Sequence, residues 1–247
     1  MSEDLFVDLG NSRIKWMSAS GQVQQAVEYT ERGLHGVLDR VWGKRPQPGR
    51  IWLATVASTE SEHMLRDWIQ QHWRKQPRII PVQSSACGVS CGYVQPEQLG
   101  VDRWMAIIAA HKIFPAGVCV VDCGTATTLD VVDGQGNHLG GYILPGLQMM
   151  HQSLLQGTAM RPAGEFMDAL EWGNSTASCI DLGIRKSLLA LIEQSVERMQ
   201  AAGVCDPGLV LTGGASTLIT SHLQLAFEQR ESLVLEGMMI FVQEDAG

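Results

Sequence analysis

A short unit that occurs twice constrains this chain more than any other feature. Leu5-Phe6-Val7-Asp8-Leu9-Gly10-Asn11-Ser12 recurs in outline as Cys119-Val120-Val121-Asp122-Cys123-Gly124-Thr125-Ala126. Each copy is an apolar strand that runs into Asp-x-Gly, then small hydroxyl or amide residues, then a second strand. A Gly-Gln pair closes both units, Gly21-Gln22 and Gly134-Gln135. A single Asp-x-Gly is an ordinary hairpin turn. Two of them, facing each other across a cleft, would hold a phosphate chain and its cations. Gly10 and Gly124 let backbone N–H groups come close to an anion. Asn11, Ser12, Thr125, Thr127 and Thr128 add neutral donors, and Lys15 adds a point charge.

The rest of the chain fits a duplicated α/β plan. Strands are predicted over 4–9, 13–18, 23–29, 51–56 and 78–82, with helices over 31–42, 62–76 and 101–114. After Pro115-Ala116-Gly117 the strand pattern restarts over 118–121, 127–132 and 138–143. Helices follow near 147–156 and 176–202, and the apolar run Leu209–Leu211 ends in Thr212-Gly213-Gly214-Ala215-Ser216. The periodicity of 234–243 fits strand and helix equally. Strands early and helices late in each half predict two similar domains, 1–114 and 115–247, with the last helix packing back on the first.

Composition excludes several classes. The chain has 247 residues, 45% of them hydrophobic, and a net charge of −8, with no Lys/Arg cluster to neutralise a nucleic acid. No run approaches the roughly 18 apolar residues of a membrane span. The N-terminus does not read as a signal peptide. A soluble, cytoplasmic protein with reduced thiols is expected. The six cysteines form no Cys-x-x-Cys pair, which argues against zinc. The tryptophans and methionines read as core, and the histidines show no ligand spacing.

Familiar nucleotide loops are absent. No Gly-x4-Gly-Lys-Ser/Thr stretch occurs, and Gly134-Gln135-Gly136 has Leu139 where a Gly-x-Gly-x-x-Gly loop needs its last glycine. Gly88-Val89-Ser90-Cys91-Gly92 matches a nucleophile elbow, but its flanks, Gln83–Ala86 and Tyr93–Pro96, give neither the strand before nor the helix after that an elbow requires. Tyr93-Val94-Gln95-Pro96-Glu97-Gln98-Leu99-Gly100-Val101-Asp102-Arg103 carries more chemistry. Asp102 in a first helical turn can be a dipole partner. It can equally accept a hydroxyl proton while Arg103 grips an anion.

Taken together, five segments resemble type III pantothenate kinase, of the acetate-kinase/Hsp70/actin-like superfamily. They are Asp8–Lys15, Tyr93-x-x-Pro96-x-x-Leu99-Gly100-Val101-Asp102-Arg103, Asp122–Asp130, Gly140–Gly146 and Leu211–Ala215, in the family's order. The resemblance implies an α/β fold of two actin-like (ribonuclease H-like) domains, each a mixed sheet flanked by helices, with a cleft between them. It implies ATP contacts at Asp8, Leu9, Gly10, Asn11, Ser12, Arg13, Ile14, Lys15 and Thr125. Tyr93, Gly100, Val101, Asp102, Arg103 and Thr176 would bind pantothenate, with Asp102 as catalytic base. Asp122 would hold a monovalent cation, K⁺ or NH₄⁺, beside the Mg²⁺ that accompanies ATP. At Thr176 the match is looser, since Ser175 separates it from Asn174 and Cys179 stands where alanine is common. The implied protein is a cytoplasmic homodimer that phosphorylates the primary hydroxyl of pantothenate, the entry step to coenzyme A, and binds neither nucleic acid nor membrane. The competing readings are another kinase or phosphatase of the superfamily, acting on a sugar or acid, and a non-enzymatic regulator on the same fold.

Overall fold

The computed structural model describes residues 3–20, 23–157 and 171–245. By contact the chain divides into two units, Met1–Ile113 with Ser232–Gly247, and Phe114–Glu231.

The first unit begins with three antiparallel strands, β1 (Leu5–Leu9), β2 (Arg13–Ser18) and β3 (Val23–Glu28). Helix α1 (Leu34–Trp42) leads to β4 (Ile51–Thr55), and α2 (Thr59–Trp73) leads to β5 (Arg78–Ile79). The sheet order is β3-β2-β1-β4-β5, with β1, β4 and β5 parallel. A parallel pair needs a crossover, and the two helices supply it. Alternation puts Leu5, Val7 and Leu9 on one face with Ile14, Trp16, Ile51 and Leu53. These residues pack with Leu34, Leu38 and Trp42 of α1 and Leu65, Trp68, Ile69 and Trp73 of α2. At its centre the Trp42 ring lies 5.4 Å from Trp16, 5.8 Å from Trp68 and 5.3 Å from Trp73. Asp8 points to the other face.

A small hairpin follows, β6 (Ser85–Ala86) and β7 (Val89–Ser90), where sequence reading expects irregular chain. Cys87 and Gly88 at its tip both take positive φ, 52° and 77°. Ser90 is thus a hairpin residue, not the apex of a strand–helix elbow. Helix α3 (Val101–Ile113) completes this stretch.

The second unit repeats the plan. Strands β8 (Val118–Cys123), β9 (Ala126–Val132) and β10 (His138–Pro145) are antiparallel. Helices α4 (Leu147–Gly157) and α5 (Thr176–Ala201) precede β11 (Gly208–Thr212). One turn of helix, α6 (Thr217–Thr220), precedes β12 (Glu228–Gln229). The order β10-β9-β8-β11-β12 reproduces that of the first sheet. Cys119, Val121, Cys123 and Leu129 pack against Leu188, Ile192 and Val196 of α5. The α5 N-terminus is a capping box in which Ser175 and Ser178 serve each other's backbone. Asp133 Oδ1 accepts from the N–H groups of Gln135 and Asn137 at 2.9 and 2.8 Å, closing the β9–β10 turn. The Gly21-Gln22 pair that matches this turn in the sequence lies outside the described residues.

The last helix, α7 (Leu233–Asp245), belongs with the first unit. It packs on α3 and β1. Gly237 meets the Met105 carbonyl so closely that any Cβ would overlap it. Leu233, Val234, Leu235, Met238, Phe241 and Val242 are all buried. A helix apolar nearly all round has no distinguishing period, which is why 234–243 reads both ways.

Other differences from the sequence reading have local causes. Helix α2 starts at Thr59, where Ser58 caps the Ser61 N–H at 3.2 Å, and stops at Trp73 because Arg74 turns left-handed, φ 51°. The 78–82 strand shrinks to β5, since Pro81 has no N–H to give a ladder. Trp172 is 81% exposed, against the expectation of a core residue. Among the described residues no helix is long and apolar enough to cross a membrane.

Candidate active site

The first turn follows from β1 and β2 pairing in register. Asp8, only 8% exposed, stands directly across from Lys15. The Gly10 N–H donates to the Arg13 carbonyl at 2.9 Å and closes the turn. Leu9 and Ile14 are fully buried in the core, so these two residues offer only backbone to a ligand. Arg13 donates to Glu28 at 2.6 Å, along the sheet. The other polar side chains at the turn are Asn11, Ser12 and Lys15.

The 93–103 segment approaches β1 at Val56, just after β4. The Val56 N–H donates to the Leu9 carbonyl at 3.2 Å. A Cβ on Gly100 would lie 3.6 Å from Val56 Cγ1 and 2.5 Å from Asp102 Oδ1. Glycine at 100 therefore leaves the space that the Asp102 carboxylate occupies. That carboxylate, half-buried in the first turn of α3, accepts from the Arg103 N–H at 2.8 Å. Arg103 is 7% exposed; its guanidinium donates to the Tyr93 hydroxyl at 2.9 Å and lies 5.6 Å from that ring's centre. Val101 is buried and anchors the helix start. Tyr93, Gly100, Asp102 and Arg103 thus form one cluster in the first unit.

The second turn is built differently. Asp122, half-buried, faces Thr128 across the hairpin and Thr212 on β11. The Gly124 N–H donates to the Ala126 carbonyl at 3.1 Å. Thr125 is exposed, and its carbonyl accepts from the Gly146 N–H at 3.0 Å. The Ala215 N–H donates to the Cys123 carbonyl at 3.0 Å. Gly213 adopts φ +85°, and any Cβ there would overlap Asp122 Oδ1 and the Cys123 carbonyl. The glycines of three separate segments therefore converge on the Asp122 turn. Burial, reinforced by the Asp122 charge, pushes the Cys123 thiol up to about 12. Glycine at 213 lets its backbone pass close to the Asp122 carboxylate and the Cys123 carbonyl, oxygens of the kind that hard cations take. Among the described residues no group of three or more His, Cys, Asp or Glu could hold a metal. A cation here would rely on one carboxylate and backbone oxygens.

Thr176 opens α5 and is exposed. It lines an open surface groove with Asn174, Ser175, Cys179, Met150 and Leu154. Sequence reading missed two features of this unit. One is the Ser175–Ser178 capping box that fixes the start of α5 at Thr176. The other is a buried pair in which His138 Nε2 lies 2.9 Å from Asp130 Oδ1, joined across β9 and β10 where spacing gives no hint.

The model of the family described as type III pantothenate kinase matches residues 4–198. The chain belongs to that family. A type III pantothenate kinase of Nitrosococcus oceani is 34% identical over 245 residues, covering 95% of this chain and 91% of that relative. One from Dichelobacter nodosus is 36% identical over 204 residues, covering 79% and 80%. Among solved structures, a Campylobacter jejuni protein described as a Baf family transcriptional activator has TM-score 0.62 at 21% identity, covering 98% of both chains. MreB 5 of Spiroplasma citri bound to AMPPNP has TM-score 0.58 at 11% identity, covering 100% of this chain and 97% of that one. At such identities these structures show the fold alone, and it is the actin-like fold of two mixed sheets flanked by helices. A type III pantothenate kinase is a phosphotransferase.

Proposed function

We propose that this chain transfers the γ-phosphoryl group of ATP to the primary hydroxyl of pantothenate, forming 4'-phosphopantothenate in the cytoplasm. The observation that carries the reading is membership of the family combined with the Asp102 cluster. A half-buried carboxylate, fixed by a backbone N–H and a glycine, stands beside an arginine–tyrosine pair. Asp102 orients the hydroxyl and accepts its proton. Arg103, steadied by Tyr93, offers its charge to the pantothenate carboxylate, and Thr176 binds the same substrate in its groove. Asp8–Lys15 and Thr125 hold the nucleotide phosphates. Phosphoryl transfer depends on alignment and charge neutralisation more than covalent chemistry. Mg²⁺ with ATP, and K⁺ or NH₄⁺ against Asp122, supply part of that neutralisation when bound. The two halves, 1–114 and 115–247, act as a duplicated pair. The protein works as a homodimer, supported by the exposed Leu139, Tyr142 and Ile143 on the edge strand β10 and Met149 on α4.

The test is a coupled assay on pure protein with Mg-ATP and pantothenate, with and without potassium. Product is expected, and its absence in both conditions overturns the proposal. Asp102→Asn should lower turnover by about 10²–10⁴-fold while calorimetric binding of both substrates persists. Wild-type turnover in that variant would remove Asp102 as the base.

A further inference from the structure

Tyr29 follows β3 and lies outside every segment that carries the family resemblance. It holds the first turn at two points. Its hydroxyl donates to the Gly10 carbonyl at 2.5 Å, and its backbone N–H donates to the Ser12 carbonyl at 3.0 Å. The ring is 7% exposed and packed in the core between the sheet and the helices α1 and α2. Burial raises the phenol above its ordinary range; a hydrogen bond from Ser61 opposes the rise, and the charges of Glu31 and Asp8 add to it. The hydroxyl is therefore a neutral donor at any physiological pH, linking Ser61 at the start of α2 to the carbonyl of Gly10.

A trans peptide is planar, and its C=O and N–H point in opposite directions. A Gly10 carbonyl drawn inward to Tyr29 therefore turns the Asn11 N–H outward, where Asn11 is exposed. An outward N–H beside a glycine is the element from which backbone anion cradles are made. We propose that Tyr29 is a positioning residue for the nucleotide: by holding the Gly10 carbonyl from beneath, it presents the Asn11 amide to a phosphate. This rests on reading Asp8–Lys15 as the phosphate turn. Tyr29 touches neither substrate; its effect passes through the backbone.

The test compares Tyr29→Phe, which removes one oxygen at nearly constant volume, with Lys15→Ala, which removes the turn's own cation. Binding of Mg²⁺ with a non-hydrolysable ATP analogue is measured by calorimetry, the KM of pantothenate by coupled assay, and stability by thermal melting. Tyr29→Phe is expected to weaken the analogue about 5- to 10-fold, as befits one lost hydrogen bond, with the pantothenate KM unchanged. Ser61→Ala should move the analogue in the same direction by less, and it carries the test if Tyr29→Phe does not fold. Unchanged analogue binding in Tyr29→Phe, with loss in Lys15→Ala, overturns the role of Tyr29 and leaves the phosphate turn standing. Unchanged binding in both variants overturns the turn assignment as well. Equal losses for analogue and pantothenate would make Tyr29 a general core residue and also defeat the proposal.

Discussion

Across the hairpin from Asp8 stands Lys15; across from Asp122 stands Thr128. The two turns share Val-Asp-x-Gly, and both are closed by a glycine N–H on a carbonyl of the second strand. What separates them is the neighbourhood. The first is basic across the hairpin and lies beside the start of α3 through Val56. The second has a neutral partner, and the Gly146 and Gly213 segments crowd onto it. A duplicated strand–turn–strand unit can thus diverge without changing its backbone plan. One residue across the ladder alters the charge, and the loops that reach the turn alter the space.

The sharpest way to break this comparison sets the glycine at Asp102, in the segment beside the first turn, against the glycine at Asp122. At Gly100 an added methyl meets only the movable tip of Asp102 and Val56. At Gly213 it meets the Cys123 backbone, at φ +85°. Gly213→Ala should therefore lower the melting temperature by several degrees, because an alanine in the left-handed region costs about 1–2 kcal/mol before any overlap. Gly100→Ala should melt close to wild type yet lose turnover by about 10²-fold, from a displaced carboxylate. Equal stability losses in the two variants would erase the distinction.

Replacing potassium by sodium should depress turnover about tenfold, equivalent to about 1.4 kcal/mol in the barrier. Asp122→Asn should abolish that preference, whereas Asp8→Asn should keep it while weakening the nucleotide. Cation dependence that follows Asp8 instead would exchange the roles of the two turns.

The smallest effect concerns pH. Cys119 and Cys123 lie in the second sheet, and burial holds both thiols at about 12, against about 8.5 in an unfolded chain. The unfolded state therefore binds fewer protons between these values. The stabilisation is fully present below about pH 8.5 and is lost as pH rises toward 12. Each thiol should contribute a slope of about 1.4 kcal/mol per pH unit above pH 8.5. Denaturant melts at pH 8 and 10, read through amide exchange in the second unit, should show the loss, and Cys119→Ala should reduce it. Amides of the first sheet should respond less.

How much of this was legible in the sequence follows from the range of the interactions. The hairpins β1–β2 and β8–β9 could be read because turn chemistry and alternation are local. Asp102 could be placed at a helix start because Gly100 and the apolar spacing after it are local too. Strand β12, two residues long, exists only because a neighbouring strand offers a ladder. The encounter of Gly213 with Asp122 requires β11 to lie beside β8, a pairing no nearby residue announces. The Asp130–His138 pair and the Tyr29–Gly10 bond are likewise products of sheet register.

The tryptophans have an optical consequence. Six of the seven belong to the first unit, and Trp172 alone lies in the second, 81% exposed. Trp16, Trp42, Trp68, Trp73 and Trp104 are shielded from water, so their emission is blue-shifted and moves red only when the first unit opens. Trp172 emits as a solvated indole throughout. Intrinsic fluorescence of this protein is thus a label for one half, supplied by its own core, and opening of the other half would pass nearly unseen by it.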